Sequence, residues 1–181
     1  DRFIFYYYES GINILDGDYI SALYLVCCLE ALSDVEKKFT IGVIHTAYTN
    51  KALLEFIKNK AYSYNYNVDL VCTPTGVKHL HHEANKYDIG IYFETNGHGT
   101  ILINKYELYE MSYFYMINGM NNSIVGDAIS GIFCVLYSLE YINISYNEWF
   151  DFFKKRPSIL LKKEVVNKNN YITTPDEQKL I

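Results

Sequence analysis

The stretch that most narrows the fold is residues 87–100, YDIGIYFETNGHGT, where an apolar strand pattern runs without a break into a loop of polar side chains and glycines. Ile89, Ile91 and Phe93 alternate with Gly90, Tyr92 and Glu94, the period of two with which a strand presses one face into a core. Beyond Phe93 the side chains turn polar. Gly97 and Gly99 flank His98 and allow positive φ and a close approach of ligand to main chain. Glu94, Asn96 and His98 together suit a polyhydroxylated ligand: the carboxylate accepts from hydroxyls, the amide donates and accepts, and the imidazole moves a proton near neutral pH. Two readings stay open for this loop, a binding loop and a polar turn between strands with a surface histidine.

The rest of the chain alternates strand and helix patterns. FIFYYY at residues 3–8, a Ser10-Gly11 turn and residues 12–15 predict a β-hairpin. Asp16-Gly17-Asp18 then precedes a helix with Ile20, Leu23, Tyr24, Cys27 and Ala31 on one face. The two aspartates invite a metal reading, but an acidic residue ahead of an amphipathic helix more often caps it. Residues 39–45 (FTIGVIH) predict a strand, residues 51–58 a helix, and residues 68–72 another strand. Thr73-Pro74-Thr75-Gly76 then leads into a helix through Val77, Leu80 and Ala84. That turn points backbone N–H groups at a helix start, where anions bind, with Lys78 in the first turn. His79 and His82, three apart, have the reach to grip a metal, although no companion Cys or acidic pair accompanies them.

Residues 101–104 predict the partner strand across the GHG turn. Residues 106–117 carry aromatics at helical spacing, which reads as core packing. A buried helix over residues 123–141 follows, with Ile129, Ile132, Phe133, Leu136 and Leu139 as its face, then a short one over residues 146–155 and a charged edge strand over residues 159–166. Strands alternating with helices argue for an α/β layer sandwich.

At 181 residues the chain has room for a proper core, and Lys+Arg 16 against Asp+Glu 21 leaves a formal charge of −5. With no basic patch among aromatics, nucleic acid is not an expected partner; a small molecule is. Cys27, Cys28, Cys72 and Cys134 lack zinc-like spacing, and no signal peptide or membrane-spanning run is visible, so the expectation is a cytoplasmic protein with reduced thiols. The chain opens on Asp1-Arg2 and enters a strand at once, which reads as the interior of a longer polypeptide.

Five motifs stand in an order that resembles one family. They are ILDGD at residues 14–18, HTAYTN at 45–50, TPTGVKHLHH at 73–82, DIGIYFETNGHGT at 88–100 and VGDAIS at 125–130. They resemble the phosphoacetylglucosamine mutases of the α-D-phosphohexomutase superfamily, and the NGHG form of the loop points to the acetylglucosamine branch. The resemblance implies an α/β fold, a three-layer α/β/α sandwich with a mixed sheet. Residues 1–15 would end a metal-binding second domain, residues 16–166 form the sugar-recognition third domain, and residues 167–181 lead towards a C-terminal phosphate-binding domain.

It further implies interconversion of N-acetylglucosamine 6-phosphate and 1-phosphate through a phosphoserine enzyme and a bisphosphate, with Mg²⁺ as cofactor. By motif, Glu94, Asn96, Gly97, Thr75, Gly76 and Arg2 would bind substrate, Lys78 and His98 would be catalytic, and Asp1 would match the last aspartate of a DGDxDR metal loop. The serine loop, the earlier metal ligands and the C-terminal phosphate loop are not in these residues, so the missing domains of the same polypeptide are implied partners. Thr95 departs from the alanine expected in the loop, and Lys51-Ala52-Leu53 depart from the glycine and small hydroxyl residues expected after Asn50.

Overall fold

The computed structural model describes residues 1–122, 124, 126–159 and 164. Its centre is a four-stranded mixed sheet in the order β4-β3-β5-β6. Strands β3 (Ile41–Thr46), β4 (Val68–Thr73) and β5 (Ile89–Phe93) run parallel, and β6 (Gly99–Ile103) returns antiparallel to β5. The parallel strands therefore end on one edge, the place where open α/β sheets put their ligand loops. All of β5 is buried, on both faces, so the expected single core face of that strand is corrected: helices cover it from either side.

One layer is α3 (Val77–Ala84), which packs Leu80 and Ala84 against Ile44, Tyr92 and Leu102. The other layer holds α1 (Gly17–Ala31), α2 (Lys51–Ser63) and α4 (Ser112–Met120), and α1 lies against β5. This is the expected three-layer α/β/α arrangement. Outside α1 lie α5 (Ala128–Tyr141) and α6 (Tyr146–Phe150), so α1 is enclosed by sheet and helices together. Its residues from Gly17 to Leu29 are all buried, where the sequence predicts a single apolar face.

The predicted hairpin forms from β1 (Phe5–Tyr8) and β2 (Ile12–Leu15), antiparallel and paired with no other strand among the described residues. Its inner face rests on α6 through Phe5 against Trp149 and Tyr7 against Phe150. Helix starts follow their side chains. Asp16 accepts from the Asp18 amide, Asn50 from Ala52, and Ser145 with Glu148 forms a reciprocal capping box.

Other expectations shift. Residues 106–117 split into a short 3-10 helix, Tyr106–Glu110, and α4, while α5 starts at Ala128, capped by Asp127, and not at residue 123. The helix predicted over residues 146–155 is only α6. The strand predicted over residues 159–166 and the segment 167–181 fall largely or wholly outside the described residues. No helix among the described residues is long and apolar enough to cross a membrane.

Candidate functional site at the sheet edge

Three connections meet where the parallel strands end: residues 47–50 after β3, 74–76 after β4 and 94–98 after β5. The last of these is the most tightly built. Glu94 N donates to the His98 carbonyl at 2.8 Å and Gly97 N to the Glu94 carbonyl at 2.9 Å, which closes a compact turn. Gly97 sits at φ +85°, and a Cβ there would collide with the Phe3 carbonyl oxygen, so only glycine fits. Asn96 accepts from His98 N at 3.0 Å, its side-chain amide donates to Glu94 Oε2 at 3.3 Å, and the residue itself stays exposed.

Glu94 joins two stretches that the sequence offered separately. Only 5% exposed, it accepts from the Gly76 amide at 3.1 Å through Oε1, so the 94–98 loop and the turn ahead of α3 form one site. Thr75 is exposed in that turn, and Lys78 is exposed in the first turn of α3 with no ion pair among the described residues. The buried hydroxyl of Thr73, where β4 ends, has no hydrogen-bond partner among the described residues.

The chain's first residues complete the rim. Phe3 N donates to the Gly97 carbonyl at 3.2 Å, and the amino group of Asp1 to the Gly126 carbonyl at 2.9 Å. Burial holds the His98 imidazole below its ordinary value. The positive charge on Arg2 acts the same way, and Glu94 opposes both. His98 therefore stays neutral at pH 7 and has a lone pair with which to take a proton. Tyr48, which the sequence analysis passed over, also belongs here: its hydroxyl is pushed up chiefly by burial, with Glu94 as a neighbour and Arg2 close enough to oppose the shift.

The metal reading of His79 and His82 finds no support. Both are exposed, and no group of three His, Cys, Asp or Glu side chains able to hold a metal exists among the described residues. The histidine between them, His81, is instead tied to the Tyr92 hydroxyl at 2.9 Å.

A second feature escaped the sequence. Asp16 caps α1 as expected, but Asp18 is 1% exposed and receives Thr95 Oγ1 at 3.0 Å, Lys155 Nζ at 2.9 Å and Asn50 N at 3.4 Å. Lys155 also pairs with Asp16. Lys155 is 137 positions from Asp18, so no local pattern could have announced the pair.

The family model for phosphoacetylglucosamine mutase AMG1, domain III, matches residues 16–144. The chain belongs to this family. The phosphoacetylglucosamine mutase of Saccharomyces cerevisiae is 38% identical over 202 residues, covering 100% of this chain and 35% of that protein. That of Arabidopsis thaliana is 32% identical over 211 residues, again across the whole chain. Among solved structures, N-acetylglucosamine-phosphate mutase in a substrate complex aligns with TM-score 0.81 and 32% identity, over 97% of this chain and 35% of that one. The Aspergillus fumigatus N-acetylphosphoglucosamine mutase, in complex with GlcNAc-6P and magnesium, aligns with TM-score 0.82 and 31% identity over 97% of this chain. The chain thus spans 35% of the length of the yeast relative.

Proposed function

We propose that this chain is the sugar-recognition part of a phosphoacetylglucosamine mutase, interconverting N-acetylglucosamine 6-phosphate and N-acetylglucosamine 1-phosphate through a phosphoserine enzyme and a bisphosphate. The observation that carries the proposal is Glu94: a buried carboxylate where the parallel strands of the mixed sheet end, joined to Gly76 and Asn96.

In this reading Glu94 and Asn96 accept and donate hydrogen bonds to sugar hydroxyls, and the main chain at Gly97 lies against the ring. Thr75, Gly76 and Arg2 face the phosphate, where the Thr75 hydroxyl donates to it and the guanidinium compensates its charge. Lys78 stabilises charge on the transferring group, and His98, neutral at pH 7, takes or returns a proton. The substrate must be held in two orientations, so partners that both donate and accept, as Asn96 does, serve the sugar in either one.

Mg²⁺ is the cofactor we propose for the whole enzyme, with Asp1 as one carboxylate towards it. One carboxylate does not make a magnesium site, so the described residues do not fit the ion by themselves. The remaining ligands, the phosphoserine and a C-terminal phosphate loop are assigned to other domains of the same polypeptide. We place the enzyme in the cytoplasm, in keeping with four free thiols, three of them buried.

The test is an assay of the complete reading frame: conversion of N-acetylglucosamine 6-phosphate with Mg²⁺ and a catalytic amount of sugar bisphosphate. Turnover that stops with EDTA and falls at least tenfold in Glu94→Gln supports the proposal. Binding of the sugar phosphate without conversion would leave a non-catalytic binding module as the function.

A further inference from the structure

The 94–98 loop is bonded to a buried carboxylate, that of Asp18. Asp16 already caps α1, so Asp18 is not needed for that task, yet it is buried. A buried carboxylate without partners is costly, and this one has three, each from a different part of the chain. They are the Thr95 hydroxyl in the loop, the Asn50 amide at the start of α2, and the Lys155 ammonium just after α6. Main-chain bonds run alongside: Gly17 N donates to the Thr95 carbonyl at 3.2 Å. The next segment is tied in too, since Arg156 N donates to Asn50 Oδ1 at 3.1 Å and the Asn50 amide returns a bond to the Arg156 carbonyl at 2.9 Å.

Thr95 sits between Glu94 and Asn96, and its own side chain bonds to Asp18. We propose that Asp18 is the positioning residue of this loop: through Thr95 it fixes where Glu94 and Asn96 meet the ligand, with Lys155 holding its carboxylate in place. The inference rests on the sugar-binding reading of the loop and adds to it a residue that touches no substrate. A hydroxyl bonded to a charged acceptor is among the stronger hydrogen bonds, and a loop displaced by a fraction of an ångström loses its grip on hydroxyls held at fixed angles.

The test uses the full-length polypeptide. Thr95→Val keeps the shape and removes the hydroxyl; Thr95→Ser keeps the hydroxyl and removes a methyl. The expected result is a KM for N-acetylglucosamine 6-phosphate raised about tenfold in Thr95→Val, with kcat within about threefold and Tm nearly unchanged, and recovery in Thr95→Ser. Added to Thr95→Val, Asp18→Asn should raise KM no further, because Asp18 reaches the loop side chain through Thr95, while its lost charge opposite Lys155 lowers Tm.

Regional amide hydrogen exchange supplies a readout that needs no substrate. Exchange at Gly97 and His98 should quicken at least tenfold in Thr95→Val while strand β3 is unaffected. If the wild-type protein does not turn over the sugar phosphate but the exchange result holds, the mutase reading fails and the positioning stands. Equal KM in Thr95→Val and wild type, or unchanged exchange in the loop, overturns the positioning role.

Discussion

Helices α1 and α5 are both rich in apolar residues at spacings of three and four, and the fold treats them in opposite ways. Along α1, Ile20, Leu23, Tyr24 and Cys27 fill the core as predicted, and so does everything between them, because β5 lies on one side and α5 and α6 on the other. On α5 the predicted face points outward. Ile129 is 67% exposed, Phe133 57% and Leu136 40%, and only Leu139 of the predicted set is buried. The buried side is Gly131, Cys134, Val135, Ser138 and Leu139. An apolar stripe says that burial is favourable but not against what; the small residues say which side another helix approaches. Side chains of α1 reach the α5 backbone there, with the Tyr24 hydroxyl donating to the Gly131 carbonyl and the Cys27 thiol to that of Ser138, both at 3.4 Å.

Truncation should separate the two helices most sharply. Leu23→Ala, at the enclosed centre of α1, should cost about 3 kcal/mol and lower Tm by roughly 6–12 °C, read by calorimetry. A loss below about 1 kcal/mol would mean that α1 is not the tightly packed element described. Next comes Gly131→Ala on the inner side of α5. Its Cβ would run into the ring of Phe3, which is buried and wedged edge-on against Phe5 and Phe93, so the ring has little room to yield. We expect a loss of about 1–3 kcal/mol in denaturant titration, where alanine in an open helix would gain stability.

The hairpin, the order of strands and helices, and the cap at Asp16 were legible because each depends on neighbours in sequence: a Ser10-Gly11 turn, a period of two, an acceptor just ahead of a helix. Within the site, Glu94, Asn96 and Gly97 were visible for the same reason, sitting in one short loop. What the sequence hid depends on distance. The buried side of α5 is set by Phe3 and α1, far away along the chain, and the Asp18–Lys155 pair joins positions that only the finished fold brings together. Tyr48 was hidden as well, since a tyrosine in a loop carries no local mark of its nearness to Glu94 and Arg2.

The two helix caps give a contrast in pH dependence. Burial raises the Asp16 carboxyl above its ordinary 3.8, although Lys155 pulls the other way. Backbone and side-chain bonds from Ser130 hold the Asp127 carboxyl below 3.8. For Asp127 the unfolded chain binds more protons in the window below 3.8, so its share of stability is complete above that pH and is lost as pH falls through the lowered value. For Asp16 the native state binds more protons just above 3.8, so its term weakens stability as pH rises through the raised value. Unfolding free energy measured at closely spaced pH should therefore lose a falling slope just above 3.8 in Asp16→Asn, and a rising slope below 3.8 in Asp127→Asn. Slopes of the same sign would contradict the contrast.

The smallest effect belongs to the outer side of α5. Phe133 is large and apolar, and by composition alone its removal should hurt as much as that of Leu23. Its ring is more than half exposed, so little apolar area returns to water when it is cut back, and serine at a solvent-facing helix position costs only a few tenths of a kcal/mol in propensity. Phe133→Ser should therefore change stability by no more than about 1 kcal/mol in denaturant titration of this chain, with the same midpoint at low and high protein concentration. A loss of 2 kcal/mol, or a midpoint that rises with concentration in the wild type only, would mean that the stripe is covered in solution. The two helices would then differ in what encloses them and not in whether they are enclosed.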